Sequence, residues 1–404
     1  MPDPRNIASN DELRAIHEAG DGLVFNTFGN KLHASSCDYV RGMTVNERKW
    51  FFSTRGDAEA ALAARRPGGW ATCPQCLGSG DARPRPISPA PAQKLRPIAA
   101  TQPATNQAEV RGPGESRRVE AWADVYVQYP PTARSQSELR TDLSRRVGML
   151  EADDDEVLHA VFSGPKHPQA DVENLLTYNI DDTGRCFESA ARNGVRFEHA
   201  SSKAGVSPSG LACAYSFRYT LQPTDASFHN WRPTRTLVEF DGLRVAAAAS
   251  GPRLADVWFA LKRSPVTPSR GDGVPDCSFA VMVQVAPPAG PRPVVVRQVK
   301  AIVDGIVCAF QAHGKEATLG EMTRRVAQMT GASEAEVRMH LTDRERAVLG
   351  VAKSLLHAWG EVVQWSPADT RCVAGELLME PASGTDWTLS GRVVELSRMV
   401  ASDS

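Results

Sequence analysis

HASSC (residues 33–37) and CPQC (residues 73–76), separated by 35 residues, decide the fold of the N-terminal part of the chain. One imidazole and three thiolates in two close pairs are typical of a tetrahedral Zn²⁺ site. His33, Cys37, Cys73 and Cys76 fill all four positions, so the pattern predicts structural rather than catalytic zinc. Because metal binding contributes folding free energy, a segment with a small apolar core can fold around the ion.

The composition is that of a globular protein with two or three domains. The chain has 404 residues, of which 42% are hydrophobic and 23% are charged. No apolar run reaches the roughly 18 residues that a membrane span needs, and the N-terminus lacks a signal pattern. The remaining cysteines are scattered as small apolar residues are. We therefore predict a cytoplasmic protein without a membrane partner.

The pattern of elements predicts an α+β protein in four segments. Residues 1–78 form the zinc module, and residues 79–118 form a disordered linker rich in proline and alanine. Two tandem α/β halves with mixed sheets follow, at residues 119–228 and 229–404. The second half carries a helical insert at residues 316–358.

Two stretches suggest that the halves arose by duplication. AVFSGPKHPQADVENLLTYNID (residues 160–181) and VMVQVAPPAGPRPVVVRQVKAIVDG (residues 281–305) each read as a strand, a proline-containing loop and a helix. Each helix is followed later by a predicted hairpin. In the second half that hairpin would join residues 372–380 to residues 387–396.

The insert contains two helix-start signals. Thr318 with Glu321, and Ser333 with Glu336, have the spacing of capping boxes. The pattern predicts either an ordinary helical hairpin packed on the core or a helix-turn-helix that presents Arg338 and His340 to DNA.

Charge is distributed unevenly along a chain whose net charge is −1. Residues 151–182 contain nine acidic side chains and one lysine, whereas residues 185–270 contain twelve basic and six acidic side chains. A basic region beside aromatic residues is typical of a nucleic-acid surface, although solvated surface charge has the same composition. The residues predicted to contact nucleic acid are Arg192, Arg196, Lys203, Trp231, Arg232 and Arg235.

The acidic region, together with Glu198 beyond it, supplies candidate catalytic residues. Asp171, Glu173 and Glu198 offer the hard oxygen ligands that Mg²⁺ or Mn²⁺ prefers, with Asp182 as a substitute. Such ions activate water for phosphodiester cleavage. The alternative is that Asp171 caps a helix and Glu173 interacts with the helix dipole in the first turn.

The N-terminal segment, at residues 29–76, resembles the zinc-binding module of Ada-type DNA repair proteins. The shared features are the spacing of both ligand pairs, an aromatic strand between them and an alanine-rich helix carrying DAEAALA. In that family the first ligand is a cysteine that accepts methyl groups from DNA phosphotriesters. Here His33 stands at that position, so the resemblance implies a zinc fold that lies against DNA or another partner rather than methyl transfer.

The region around PQADVENLL resembles RusA-type Holliday-junction resolvases, which carry D-x-D-N-L followed by a lysine and an aspartate. The resemblance assigns Asp171 and Glu173 to the opening carboxylates, Asp181 to the aspartate within the helix and Glu198 to a late acidic residue. Thr177 stands where the family has its lysine.

The second half shows the reverse pattern within the same resemblance. Lys300 and Asp304 match the lysine and the helix aspartate, and Asp369 matches the late acid, whereas Val294 and Val296 replace the opening carboxylates. The resemblance implies an inactive second copy. Because the family works as a dimer, it also implies a monomeric pseudo-dimer or a homo-oligomer.

These features favour a DNA-binding zinc protein that cleaves branched or otherwise unusual DNA with Mg²⁺ or Mn²⁺. A non-catalytic DNA-recognition protein in repair or phage defence is the second prediction, which Thr177 favours. A protein-interaction scaffold and a base-excising hydrolase are the further alternatives.

Overall fold

The computed structural model describes residues 4–26, 31–41, 43, 49–65, 70–73, 76–77, 107–129, 131, 133–165, 171–201, 203–246, 251–266, 268, 277–359 and 362–399. The chain divides into two compact units, Met1–Ile98 and Ala99–Ser404. Both units combine helices with strands, which confirms the predicted mixed class. Among the described residues, no helix has the length and apolar character needed to cross a bilayer.

The N-terminal unit is a small sheet with three helices. Its elements are β1 (Arg5–Asn6), α1 (Asn10–Ala19), β2 (Leu23–Asn26), β3 (Lys31–Ala34), α2 (Asp38–Arg41), β4 (Lys49–Phe52), α3 (Arg55–Arg65) and β5 (Ala71–Thr72). The strand order is β1-β4-β2-β3-β5. Val24 packs with Leu13 and Ile16 of α1, whereas Phe25 packs with Leu62 of α3, as the alternation of a strand requires. The sheet therefore has an apolar cluster on each face.

The C-terminal unit is built mainly on one large sheet. Its first elements are β6 (Ala108–Arg111), β7 (Arg118–Ala123), α4 (Arg134–Val147), β8 (Glu156–Ser163), α5 (Val172–Leu176), β9 (Gly194–Ser201) and β10 (Tyr215–Pro223). Its later elements are β11 (Trp231–Val245), α6 (Leu254–Arg263), β12 (Ser278–Ala286), α7 (Val296–Ala309), β13 (Ala312–His313), α8 (Glu316–Thr330), α9 (Glu334–Thr342), β14 (Val351–Ala352), β15 (Leu356–Trp359), β16 (Val362–Trp365), β17 (Cys372–Met379) and β18 (Trp387–Arg398).

The nine-stranded sheet has the order β11-β18-β12-β17-β9-β8-β10-β7-β6. We call β7, α4, β8, α5, β9 and β10 the first run, and β11, α6, β12, α7, β17 and β18 the second run. Outward from the central pair β17 and β9, the strands of both runs follow in the same order. The pairs β8–β9 and β12–β17 are parallel, and the other pairs within each run are antiparallel. The two runs thus share one topology and meet at the antiparallel pair β9–β17.

The predicted hairpins are wrong in both runs. Strand β12 lies between β17 and β18, pairing parallel with one and antiparallel with the other. Strand β8 lies between β9 and β10 in the same way. A hairpin prediction assumes that strands adjacent in sequence also pair in the sheet. In each run, a strand that occurs earlier in the chain lies instead between the two strands of the predicted hairpin.

Side chains of the sheet alternate between a helix-covered face and an opposite face. Leu158, Ala160 and Phe162 of β8 belong to a large apolar core that includes residues of α4 to α9. Ala374 of β17 belongs instead to a smaller apolar cluster that contains no helix residue among those described and is completed by Phe228. The helices therefore lie against one face, and the candidate site forms among them.

Two predicted boundaries are corrected. Strand β6 occupies part of the predicted linker and pairs with β7, while residues 79–106 lie outside the described residues. The insert contains the predicted helical hairpin, in which Ser333 accepts a hydrogen bond from the Glu336 N–H at 3.2 Å. Thr318 is not a cap, because α8 already begins at Glu316. The β15–β16 hairpin extends beyond the predicted end of the insert at residue 358.

Candidate active site and metal centre

Four carboxylates meet on the helix-covered side of the C-terminal unit. Asp171, Glu173, Asp304 and Asp369 each offer an oxygen, and these oxygens all lie within 4.8 Å of one another. Glu173 and Asp304 are each 3% exposed, whereas the other two are half-buried. We call these four residues the carboxylate cluster.

Both runs contribute to the carboxylate cluster. Asp171 and Glu173 belong to the first run, at the start of α5. Asp304 lies within α7, and Asp369 lies just before β17, where its carbonyl accepts from the Cys372 N–H at 2.7 Å. The apolar residues of α5 and α7 are buried in the same core, which brings the polar edges of the two helices together.

Lys300 of α7 lies among these carboxylates. Its Nζ is 3.0 Å from Asp171, 2.9 Å from Asp304 and 3.9 Å from Glu173. Its side chain is 49% exposed, so part of the side chain lies at the surface. Thr177, at the position where the resemblance expects a lysine, is buried instead, and its hydroxyl donates to the Glu173 carbonyl at 2.6 Å. The lysine of the site thus comes from the other run.

The side chain of Asp171 does not cap α5. Asp171 occupies the N-cap position, but its carboxylate makes no capping hydrogen bond and instead accepts from Asn174 Nδ2 at 2.8 Å. Oε1 of Glu173 and Oδ1 of Asp304 are buried and have no hydrogen-bond partner. Buried oxygens without a partner are costly, and a cation bound between Glu173 and Asp304 would satisfy both of them.

Burial, with neighbouring negative charge, raises the pKa values of Asp369, Glu173 and Asp304 in the carboxylate cluster. Burial, then the hydrogen bond and charge of Asp171, raise the pKa of Asp369 to about 8. Burial and the charge of Asp171 also raise the pKa of Glu173 well above its usual value, and burial raises the pKa of Asp304 despite the opposing charge of Lys300. Burial opposes ionisation of Lys300, but the surrounding carboxylates outweigh it and raise the pKa of the ammonium. A single ammonium leaves the cluster short of positive charge.

Glu198 lies elsewhere, which corrects its predicted position beside Asp171. It pairs with Ala374 across β9 and β17, on the face opposite the helices. Its carboxylate accepts from the His229 and Asn230 N–H groups at 2.9 Å and lies 2.8 Å from His159 Nε2. These bonds lower the pKa of Glu198 although burial opposes the shift. Glu198 therefore holds the loop before β11 against the sheet.

The other predicted polar residues are also engaged. Asp182 pairs with Arg140 and is not part of the carboxylate cluster. Arg196 is 1% exposed and donates to Glu376 at 2.6 Å, so it cannot contact a phosphate in this conformation. Arg192 pairs with Asp154 at 2.7 Å.

Of the other residues predicted to contact nucleic acid, two have partners within the protein and two are exposed. The Trp231 indole donates to the His199 carbonyl at 2.8 Å and packs on the small apolar cluster. Arg235 pairs with Glu395 at 3.0 Å, whereas Arg232 and Lys203 are exposed. Arg232 and Lys203 therefore have side chains on the surface, whereas Trp231 and Arg235 contact other parts of the protein.

The N-terminal unit contains a second candidate metal centre. His33, Cys37, Cys73 and Cys76 offer ligand atoms that all lie within 4.8 Å of one another. His33 belongs to β3, and Cys73 follows β5, where its N–H donates to the Leu32 carbonyl at 2.8 Å. The pairing of β3 with β5 thus joins the two halves of the ligand set.

The electrostatics of this group fit a bound cation. Burial, with the charge of Lys31, lowers the pKa of His33 to about 4, which keeps the imidazole neutral. Burial raises the pKa of Cys76 to about 12, although the Ala34 N–H donates to its sulfur at 3.3 Å. Thiolates at this position therefore need a compensating positive charge. The group can hold a metal ion.

Comparison with known proteins gave no match to any family model, curated protein or solved structure. The functional argument therefore depends on the geometry of the two sites. The prediction from sequence treats each half separately and therefore places Lys300, Asp304 and Asp369 in an inactive copy. The two sequences are complementary at their corresponding positions. Thr177 corresponds to Lys300, and Val294 and Val296 correspond to Asp171 and Glu173. This complementarity is the sequence signal that both halves contribute to one cluster.

Proposed function

We propose that this protein is a DNA-binding zinc protein that hydrolyses phosphodiester bonds of branched or otherwise unusual DNA at the carboxylate cluster, with Mg²⁺ or Mn²⁺. The observation that carries the proposal is the meeting of four carboxylates and one lysine, with two buried carboxylate oxygens left unpartnered. This combination of residues is the one that divalent-ion phosphodiester hydrolysis requires.

The two runs are, on this proposal, a tandem repeat that acts as a pseudo-dimer. Their common strand order supports this interpretation, as do the equivalent positions of α5 and α7. Neither run alone supplies both the opening carboxylates and the lysine. The site would form only when the two runs share one sheet.

The residues of the site have separable roles in the proposed reaction. Asp171, Glu173, Asp304 and Asp369 would hold the divalent ion, which supplies activation of water and neutralisation of developing charge. Lys300, half-exposed at the edge of the cluster, would donate to a phosphate oxygen and position the scissile group. Burial of Glu173 and Asp304 excludes water from their side of the cluster.

We further propose that the N-terminal group holds Zn²⁺, because one nitrogen and three sulfur donors suit zinc and leave no open position. The module would then contribute binding rather than catalysis. Arg232 and Lys203 of the C-terminal unit remain candidates for phosphate contacts because both side chains are exposed.

The decisive experiment is incubation of the full chain with labelled four-way, flapped and linear duplex DNA, with Mg²⁺ or with EDTA. We expect Mg²⁺-dependent cleavage of branched DNA that Glu173→Ala abolishes while DNA binding is retained. Asp182→Asn is the matched control, because Asp182 is acidic and nearby in sequence but pairs with Arg140 outside the cluster. Equal cleavage by wild type and Glu173→Ala would refute the proposal.

A non-catalytic DNA-recognition protein is the second candidate. Lys300 already neutralises part of the cluster through ion pairs at 3.0 and 2.9 Å, as a purely structural network would. On that alternative, DNA binding would occur without cleavage, and Lys300→Met would lower stability without changing any Mg²⁺-dependent property.

A further inference from the structure

Each position in one run has a corresponding position in the other run. The positions that correspond to the carboxylate cluster and Lys300 do not form a second such cluster. The same sequence interval separates Asp171 from Val294, Glu173 from Val296, Thr177 from Lys300 and Asp181 from Asp304. Exchanging the roles of α5 and α7 would therefore assemble a second centre from Val294, Val296, Thr177 and Asp181. We call these four residues the complementary positions.

We propose that the carboxylate cluster is the single cleavage centre among the described residues of each chain, so that a chain cuts one DNA strand per encounter and leaves a nick rather than a paired break. This inference rests on the proposed function and specifies its product. A symmetric dimer of RusA-like chains would present two equivalent centres. In this chain, the complementary positions lack the full set of carboxylates and the lysine that a second centre needs.

The complementary positions have lost their metal ligands. Val294 and Val296 have no oxygen to offer, and Val296 is buried in the apolar core. Thr177 has no ammonium, and its hydroxyl is committed to the Glu173 carbonyl. Three of the four positions therefore cannot support the reaction.

The fourth position, Asp181, is turned toward the backbone. One carboxylate oxygen accepts from the Thr183 N–H at 2.9 Å and from its hydroxyl at 2.7 Å, and the other accepts from the Cys186 N–H at 2.9 Å. These bonds order the turn that follows α5. Asp181 therefore has a structural role that does not need a cation.

A positive charge stands where a second cation would have to approach. Arg297 follows Val296 at the start of α7, and its Nε donates to the Thr183 carbonyl in the same turn. At the corresponding position of the first run, Asn174 is neutral and supports Asp171. The guanidinium would repel a divalent ion at the complementary positions.

The test uses a supercoiled plasmid with an inverted repeat that extrudes a four-way junction. A single nick releases the supercoiling and the junction is reabsorbed, so the product stays a nicked circle. Two cuts made in one encounter convert the plasmid directly to linear DNA. Full-length protein is incubated with this plasmid and Mg²⁺, beside Asp171→Asn and Thr177→Val.

We expect wild type and Thr177→Val to produce nicked circles without linear DNA as an early product, and Asp171→Asn to produce neither. Linear DNA as the first product would overturn the inference while leaving the proposed function intact, because it would require a second centre in the chain or in an associated copy. Absence of any Mg²⁺-dependent product would overturn both.

Discussion

The first and second runs have the same topology, yet they contribute different residues to the carboxylate cluster and its lysine. The first run retains the carboxylates Asp171 and Glu173 at the start of α5, and the second run retains Lys300 and Asp304 within α7. At the corresponding positions the second run has Val294 and Val296, and the first run has Thr177 and the hydrogen-bonded Asp181. The comparison teaches that a run whose sequence lacks some residues of a set can supply the remaining residues once the chain is folded.

The division has a physical basis in how the helices pack. Helices α5 and α7 both bury their apolar side chains in the core over the sheet, so their polar edges face each other at the junction of the runs. A centre at that junction needs ligands from both sides. One set of residues from both runs can therefore form a centre even when the complementary positions cannot.

A large effect is expected for the lysine position. Lys300→Met should reduce cleavage by about 10²-fold, because it removes the ammonium that would donate to a phosphate oxygen in the proposed reaction. Thr177→Val, at the corresponding position of the first run, should leave cleavage unchanged. Single-turnover cleavage rates of both variants test this, and equal losses in the two variants would break the comparison.

Asp304 and Asp181, which are separated by the same sequence interval as Lys300 and Thr177, should separate activity from stability. Asp304→Asn should abolish cleavage without lowering stability, because the raised pKa of Asp304 means that its ionised form costs folding free energy at neutral pH. Asp181→Asn should keep cleavage and lower stability by about 1 kcal/mol, because it disturbs hydrogen bonds that lower the pKa of Asp181 in the folded state.

Urea denaturation and cleavage assays on the same preparations measure both properties. For Asp181, the pKa below its ordinary value means that its stabilising contribution is present at neutral pH and is lost as pH falls through the folded-state pKa. The stability difference between wild type and Asp181→Asn should therefore shrink in acid. A destabilised, inactive Asp181→Asn variant would contradict the distinction between the two runs.

Metal affinity should depend on pH through the carboxylate cluster. Because the pKa of Asp369 is about 8, a divalent ion must displace protons at neutral pH, and Mg²⁺ affinity should rise with pH and level off above about 8. For one displaced proton the rise is up to about tenfold per pH unit. Calorimetric titrations from about pH 6 to about pH 9 measure it, and Asp369→Asn should bind Mg²⁺ more weakly with a flatter pH dependence.

The smallest effect on the C-terminal unit is expected from a change in the N-terminal unit. Cys73→Ser should remove zinc and unfold the module around His33 and Cys37, because metal binding there contributes about 10 kcal/mol or more to folding. The sheet of the C-terminal unit should remain folded. Metal analysis and limited proteolysis of the full chain test this, and retained zinc in Cys73→Ser would contradict the ligand assignment.

Local patterns in the sequence were sufficient to predict several features. The two close ligand pairs predicted the group formed by His33, Cys37, Cys73 and Cys76, whose ligand atoms do lie together. Apolar patterning and helical periodicity predicted strands β8 and β12 and helix α7, whose apolar residues are buried. Ser333 identified the start of α9 through a capping bond that depends on neighbouring residues alone.

The parts that failed depend on contacts between distant segments. The insertion of β12 between β17 and β18 is set by the assembly of the sheet, which no local spacing reveals. Glu198 had the right residue type for a metal ligand, but the alternation of β9 places it on the opposite face with Ala374. Asp369 is far from Asp171 in sequence, and only the packing of the two runs brings them together.

The most direct test of the shared centre is Mn²⁺ binding, measured by electron paramagnetic resonance on the full chain loaded with zinc. We predict that Glu173→Gln and Asp304→Asn, one from each run, both lose the bound Mn²⁺, whereas Asp181→Asn binds it as wild type does. Undiminished Mn²⁺ binding by either cluster variant would contradict a centre built from both runs, as would loss of binding in Asp181→Asn.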